Sequence, residues 1–156
     1  MEKFKVIVIG GGTAGLKVAT RSSKKVKTLL VEPGMLGGTC LNTGCIPTKA
    51  LIYASHLYAL TKEMDYFGVK AKATINFKKL LQRVNSISEE GREKIYAAIK
   101  PNKNLIRAKG KAKFISKKTI QVGSKTYQGE TIVIATGAKN FVPPIKGLKD
   151  VGYHDN

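Results

Sequence analysis

Apolar positions along this chain fall into short unbroken runs and longer spaced stripes, and the two alternate. Lys3 to Ile9 is a compact run rich in Val and Ile that stops at Gly10, the pattern of a parallel strand covered on both faces. Thr13 to Ser22 reads as a helix with Ala14, Val18 and Ala19 on its inner side, and Lys27 to Val31 as a second short strand. Strand, glycine turn, helix and strand make a βαβ unit, which is parallel and right-handed. Further on, Ile46, Ala50, Tyr53, Ala54, Leu57 and Leu60 recur at helical spacing. A second helical stripe runs through Phe77, Leu80, Leu81, Val84, Ile87, Gly91, Ile95 and Ala98, with Asn76 as its N-cap and Pro101 as its stop. Gly91 on that stripe either permits a close helix approach or is a tolerated weak spot.

From Leu105 the period changes. Leu105–Ala108, Lys111–Ile115, Thr119–Val122 and Lys125–Tyr127 read as short β runs, with Gly123-Ser124 as a hairpin turn. Thr131–Ala135 is again a fully apolar strand ending at Thr136-Gly137, and the tail "PPIKGLKDVGYHDN" has no periodicity. The expected fold is therefore α/β, with a central parallel sheet, flanking helices and a small antiparallel β-meander at about 105–130. The domain boundaries expected are 1–142 for this unit and 143–156 for a tail.

Length and charge narrow the picture. With 156 residues, the chain is long enough for one domain with a real core and too short for two. No apolar run approaches the ~20 residues that span a bilayer, and the apolar core Val6–Ile9 is too short for a signal peptide. A cytoplasmic, thiol-reducing location is the expectation, and there a cysteine pair is more often redox-active or metal-binding than a permanent staple. The net charge is +18, yet only four of the basic residues are arginines (Arg21, Arg83, Arg92, Arg107) and no cluster interleaves them with aromatics. Base readout leans on arginine and single-strand binding on aromatic platforms, so a solvated lysine surface is the reading and no nucleic-acid partner is expected.

Two stretches carry candidate chemistry. "VIVIGGGTAGLKVA" places Gly10, Gly12 and Gly15 at G-x-G-x-x-G spacing between an apolar strand and a helix, with Glu32 at the end of the following strand. Gly10 serves the tight turn, Gly12 the approach of a pyrophosphate and Gly15 the close packing of helix on strand. The phosphates would lie on helix N–H groups at the positive end of the dipole, and Glu32 would accept hydrogen bonds from an adenosine ribose.

"GGTCLNTGCIP" holds the only two cysteines, Cys40 and Cys45. Inert thiols would not need the surrounding glycines. A zinc site needs four ligands, and only His56 and His154 remain to complete one, so no metal is expected. The third reading is a redox pair. Residues five apart in a regular helix point roughly 140° apart at ~3.6 residues per turn, so bridging requires irregular backbone, which Asn42, Thr43 and Gly44 can supply. Pro47 fits the first turn of the next helix, which places Cys45 near a helix N-terminus where a thiolate is favoured. Lys49 lies one turn further along the same face.

Taken in order, "VIVIGGGTAG", "LLVE", "GGTCLNTGCIPTKAL" and "TIVIATGA" closely resemble the N-terminal FAD domain of the class I flavin disulfide reductases, which include dihydrolipoamide dehydrogenase, glutathione reductase and mercuric reductase. The resemblance implies a Rossmann-like FAD-binding fold. It implies that Gly10, Gly12, Thr13, Ala14 and Gly15 surround the FAD pyrophosphate, that Glu32 holds the ribose, and that Gly38, Thr39 and Gly44 line the cofactor. Cys45 would be the flavin-facing thiolate, Cys40 the thiol that exchanges with substrate, and Lys49 a cation beside the isoalloxazine. Gly110 and Ala112 match a stretch near the adenine, and Ala135, Thr136 and Gly137 a second FAD contact. The implied activity is electron transfer between NAD(P)(H), FAD and a Cys40–Cys45 disulfide, with a lipoamide-like dithiol or disulfide as partner and a homodimer for the full-length enzyme.

Departures from the family pattern are equally informative. There is one G-x-G-x-x-G and no second, no later Gly-Asp segment, and no C-terminal His–Glu pair, a role that His154 in the tail cannot be given. The chain thus reads as the FAD-binding part of a longer enzyme, with weakened FAD binding and no nicotinamide turnover alone. The sequence leaves open a mercuric or glutathione reductase-like enzyme, and a stand-alone FAD module without redox traffic.

Overall fold

The computed structural model describes residues 1–153; His154 lies outside the described residues. The elements in order are β1 (Glu2–Ile9), α1 (Thr13–Ser22), β2 (Thr28–Val31), α2 (Gly38–Asn42), α3 (Cys45–Glu63), a 3₁₀ turn (Met64–Phe67), α4 (Phe77–Ile99), β3 (Leu105–Ala108), β4 (Ala112–Ser116), β5 (Thr119–Val122) and β6 (Lys125–Ile134). One sheet runs β3-β2-β1-β6-β5-β4. Its first four strands pair in parallel, and β6-β5-β4 pair antiparallel.

Two sequence expectations need correction. Leu105–Ala108 does not open the meander; it pairs in parallel with β2, Thr28 opposite Leu105 through Val31 opposite Ala108. Both its faces are covered. Ile106 and Ala108 pack on one side of the sheet and Leu105 on the other, which marks it as the end of a crossover. Second, Lys125–Tyr127 and Thr131–Ala135 are one strand, β6, which pairs with β5 through its first half and with β1 along nearly its whole length. The apparent break at Gly129 has a packing cause: a Cβ there would come 2.9 Å from Ile7 Cγ1. Gly123-Ser124 does form the β5–β6 turn, with Gly123 at φ +59°.

The sheet cannot be flat. β3 and β4 lie at opposite ends of the strand order, and only Lys109–Lys111 join them. Such a link reaches at most ~15 Å, whereas five strand spacings are about 24 Å. The meander therefore folds back over one face of the parallel strands. There Ile120, Val122 and Tyr127 close a core with Phe4, Ile7, Ile9, Leu29, Val31 and Ala108. On the other face Val8, Ala19, Leu30 and Leu36 meet Leu16, Val18, Ile95, Tyr96 and Ile99 from α1 and α4.

Helix burial departs from the stripes. Ala14, expected on the inner side of α1, is exposed, while Gly15 and Ala19 are buried. None of α3 is buried; Tyr53, Leu57 and Leu60 of its stripe are all at least half exposed. α4 buries Val84 and Ser88 only, leaving Phe77 and Leu81 exposed. Its N-cap is as expected: the Lys79 N–H donates to Asn76 Oδ1 at 3.0 Å. No helix among the described residues is long and apolar enough to cross a membrane.

Candidate functional site

At the carboxyl ends of β1 and β6, the position where open parallel sheets bind ligands, the chain makes two adjoining clefts. The first, of about 400 Å³, is lined by Gly12, Thr13, Ala14, Glu32, Met35, Gly38, Thr39, Cys40, Ala135, Thr136, Gly137 and Ala138. The second, of about 260 Å³, is lined by Ile9, Gly10, Val31, Glu32, Pro33, Gly110, Lys111, Ala112 and Thr136. Glu32 and Thr136 belong to both. Residues predicted from four separate motifs thus share one continuous surface.

The glycine turn is shaped by close approaches. Gly10 has φ +111°, and a Cβ on it would lie 2.1 Å from the Ala135 carbonyl oxygen. A Cβ on Gly15 would lie 1.8 Å from the Gly10 oxygen, so α1 can sit on the end of β1 only with glycine there. Gly12 differs: its Cβ would meet only Gly38 Cα, at 3.7 Å, and would stand at the cleft wall. It is the N-cap of α1 and offers no side-chain cap, so the helix presents first-turn N–H groups without a side-chain acceptor. Gly38, at φ +61°, approaches from across; a Cβ on it would be 2.8 Å from Gly12 Cα.

Glu32 spans the turn. Its Oε2 accepts from Gly11 N–H at 2.6 Å and its Oε1 from Gly34 N–H at 2.8 Å. Each carboxylate oxygen keeps a further acceptor position, so Glu32 can take a hydroxyl as well as hold the loop. Gly37 N–H donates to the Gly11 carbonyl at 2.8 Å, which ties the segment before the cysteines to the glycine turn.

Cys40 lies in α2 and Cys45 opens α3, and the break between them falls at Thr43 and Gly44, two of the three residues expected to supply it, while Asn42 still belongs to α2. Thr43 (φ −140°, ψ −8°) and Gly44 (φ −116°, ψ −107°) leave helical geometry, and the N–H groups of both turn back to the Thr39 carbonyl at 3.0 and 2.6 Å. Both cysteines are free thiols, Cys40 partly buried and Cys45 exposed. The Cys40 thiol is raised above its ordinary 9.0, first by a hydrogen bond with Cys45, then by burial and by the Cys45 charge, while Lys49 acts to lower it. Cys45 thus lies within hydrogen-bonding reach of the Cys40 thiol, and the Lys49 ammonium is near enough to act on it. Cys45, Lys49, Gly15 and Gly44 do not line the clefts; Gly15 and Gly44 serve packing, the latter against Thr39. No group of three or more His, Cys, Asp or Glu able to hold a metal ion occurs among the described residues.

Behind Cys40, away from Glu32, lies a third hollow of about 460 Å³ lined mainly by Leu16, Leu41, Ile46, Ile95, Ala98 and Ile99, with Thr13 and Cys40 shared with the first cleft. Cys40 therefore borders a cleft of mixed lining and a second that is mostly apolar. Sequence reasoning missed Met35, which carries no motif signal, gave no role to Ala138 at the end of the "TIVIATGA" stretch, and missed the support of the cysteine segment by α4. There Arg92 Nη1 donates to Asn42 Oδ1 at 3.0 Å.

Comparison with known proteins places these features in context. A family model described as "Pyridine nucleotide-disulphide oxidoreductase" matches residues 4–156. The chain is 37% identical over 150 residues to a dihydrolipoyl dehydrogenase of Thermus scotoductus, covering 95% of this chain and 32% of that protein. It is 29% identical over 154 residues to a mercuric reductase of Lysinibacillus sphaericus, covering 97% and 28% respectively. Among solved structures, the Cu(II) complex of the HOCl-induced flavoprotein disulfide reductase RclA from Escherichia coli superposes with a TM-score of 0.79 at 31% identity, covering 96% of this chain and 32% of that one. The chain spans about a third of the length of the relatives it matches.

Proposed function

This chain belongs to the pyridine nucleotide-disulphide oxidoreductase family, and from that premise we propose that it is the FAD-binding, dithiol-bearing part of a flavin-dependent disulfide oxidoreductase. One observation carries the reading. The glycine turn, Glu32, Cys40 and Thr136-Gly137 line the same cleft, although they come from four separate parts of the sequence.

The residues present fit the cofactor. Gly12 leaves open the space a Cβ would fill beside the uncapped start of α1, which suits a pyrophosphate. Glu32, held by two backbone amides, is oriented to accept ribose hydroxyls. Thr13, Ala14, Gly38 and Thr39 would border the phosphates, Gly110 and Ala112 the adenine side, and Ala135, Thr136 and Gly137 the opposite wall. Lys49 would lie near the flavin ring. FAD, when bound, supplies hydride and electron-pair chemistry that side chains lack.

The chain's own part is thiol–disulfide exchange. The Cys40–Cys45 disulfide accepts two electrons and two protons and becomes the dithiol. Cys40, after losing its proton, attacks a substrate disulfide; one substrate thiol leaves, and Cys45 then displaces the second and restores the internal disulfide. The hydrogen bond that the Cys40 thiol donates to Cys45 opposes that deprotonation and Lys49 favours it. The apolar hollow at Cys40 supports a substrate whose disulfide sits on an aliphatic carrier, lipoamide-like, over a highly charged one. Nicotinamide binding and a homodimeric state are proposed for the longer protein.

Adding FAD to the purified chain tests the reading: saturable quenching of flavin fluorescence is expected, and titration with dithiothreitol should then bring up long-wavelength absorbance. Flavin binding without that absorbance would make the chain a cofactor module with structural thiols. Absence of saturable binding would overturn the proposal.

A further inference from the structure

Of the four residues between the cysteines, Leu41 and Asn42 dock on two successive residues of α4. A Cβ on Gly91 would come 2.6 Å from Leu41 Cδ1, so glycine is what opens the slot that Leu41 fills. Beside it, Arg92 Nη1 donates to Asn42 Oδ1 at 3.0 Å. Asn42 Nδ2 in turn donates to the Gly38 carbonyl at 2.9 Å and to the Leu36 carbonyl at 3.2 Å. A guanidinium has donors only. The atom of the amide facing it must be the oxygen, which turns the NH₂ toward the two carbonyls. Arg92 thereby selects the one amide orientation that pins the backbone around Cys40. One turn further along α4, the Tyr96 hydroxyl accepts from Leu36 N–H at 3.5 Å.

We infer that Arg92 is a positioning residue for the Cys40–Cys45 pair, acting through Asn42 to hold the segment in the shape from which the disulfide closes. The inference rests on the dithiol reading above. In the disulfide the loop is closed covalently, so the brace removes little freedom there. In the dithiol the loop is free to open, and the brace restricts it. Losing the brace therefore gives the dithiol conformational entropy that the disulfide does not gain, and oxidation becomes less favourable.

The test uses the whole chain in glutathione redox buffers, with the thiols trapped by alkylation and counted by mass. Oxidised glutathione takes the electron pair: its S–S bond breaks as the Cys40–Cys45 bond forms, and the two thiol protons end on two glutathione thiols. Arg92→Met is expected to lower the equilibrium constant for oxidation about tenfold, the scale of one charge-assisted hydrogen bond. Arg92→Lys, which keeps one donor, should recover most of the loss. Asn42→Ala also removes the bonds to the Gly38 and Leu36 carbonyls, so it should cost at least as much as Arg92→Met, and the double variant should be no worse than Asn42→Ala alone, because one interaction cannot be removed twice. Asn42→Ala also gives the readout should Arg92→Met fail to fold. A merely structural arginine would shift the urea midpoint and leave the glutathione equilibrium unmoved, which overturns the inference while leaving the dithiol reading intact. A wild-type chain that forms no internal disulfide in any buffer would overturn both.

Discussion

The glycine turn and the cysteine segment border the same cleft, yet different forces keep them in shape. The turn is fixed by backbone meeting backbone: Gly10 against Ala135 and Gly15 against Gly10, at separations no side chain tolerates. Its partners are close in sequence or are the ends of neighbouring strands. The cysteine segment is fixed by side chains reaching from α4, fifty positions away: Arg92 on Asn42 and the Gly91 slot for Leu41. The first arrangement is rigid because nothing in it can rotate. The second is rigid only while a hydrogen bond holds, which suits a site whose covalent state must change.

The sharpest way to break the comparison is at Gly15. Alanine is worth about 1 kcal/mol more than glycine inside a helix, so propensity alone favours Gly15→Ala. A Cβ placed 1.8 Å from the Gly10 oxygen forces α1 off the sheet, and overpacking against immovable backbone costs more than that gain. A net loss of at least about 2 kcal/mol is expected in urea unfolding. A stability equal to wild type would show that the turn yields more than its geometry suggests.

Gly12 separates ligand from scaffold within the same motif. Its Cβ would find only Gly38 Cα at 3.7 Å, an ordinary contact, and φ at −76° suits any residue. Gly12→Ala should therefore change stability by less than about 1 kcal/mol while weakening FAD binding about tenfold, close to 1.4 kcal/mol. Unchanged FAD affinity would mean that phosphate does not approach this backbone.

What the sequence revealed divides along the same line. The turn was legible because each glycine has a local task that spacing encodes, and the break at Thr43-Gly44 was legible for the same reason. Leu105–Ala108 was misassigned because a strand's partner is a tertiary fact; its apolar run fits either sheet. β6 was split at Gly129 because glycine is normally a breaker, and only contact with Ile7 explains it there. Gly91 was ambiguous until Leu41 was seen filling its slot. Arg92 carried no signal at all, since nothing local distinguishes it from the other charges on α4. Likewise the stripe of α3 is a poor guide to burial, because α4 packs against α3 yet leaves Tyr53, Leu57 and Leu60 at least half exposed.

The finest test concerns the thiols themselves. Cys40 is raised above 9.0 chiefly by its hydrogen bond with Cys45; a raised thiol stays protonated to higher pH, so the midpoint of its alkylation pH–rate profile should lie above that value. Cys45→Ala removes the hydrogen bond and the Cys45 charge together, and the midpoint of the pH–rate profile should move down toward 9.0. Lys49→Met should move it the other way, because the ammonium favours the thiolate, and by less, since Lys49 is the weakest of the four influences on Cys40. Opposite shifts of unequal size are the signature of a coupled pair with a flanking cation. If both variants left the profile in place, Cys40 would be responding to solvent alone, and the segment would be no more than a second rigid turn.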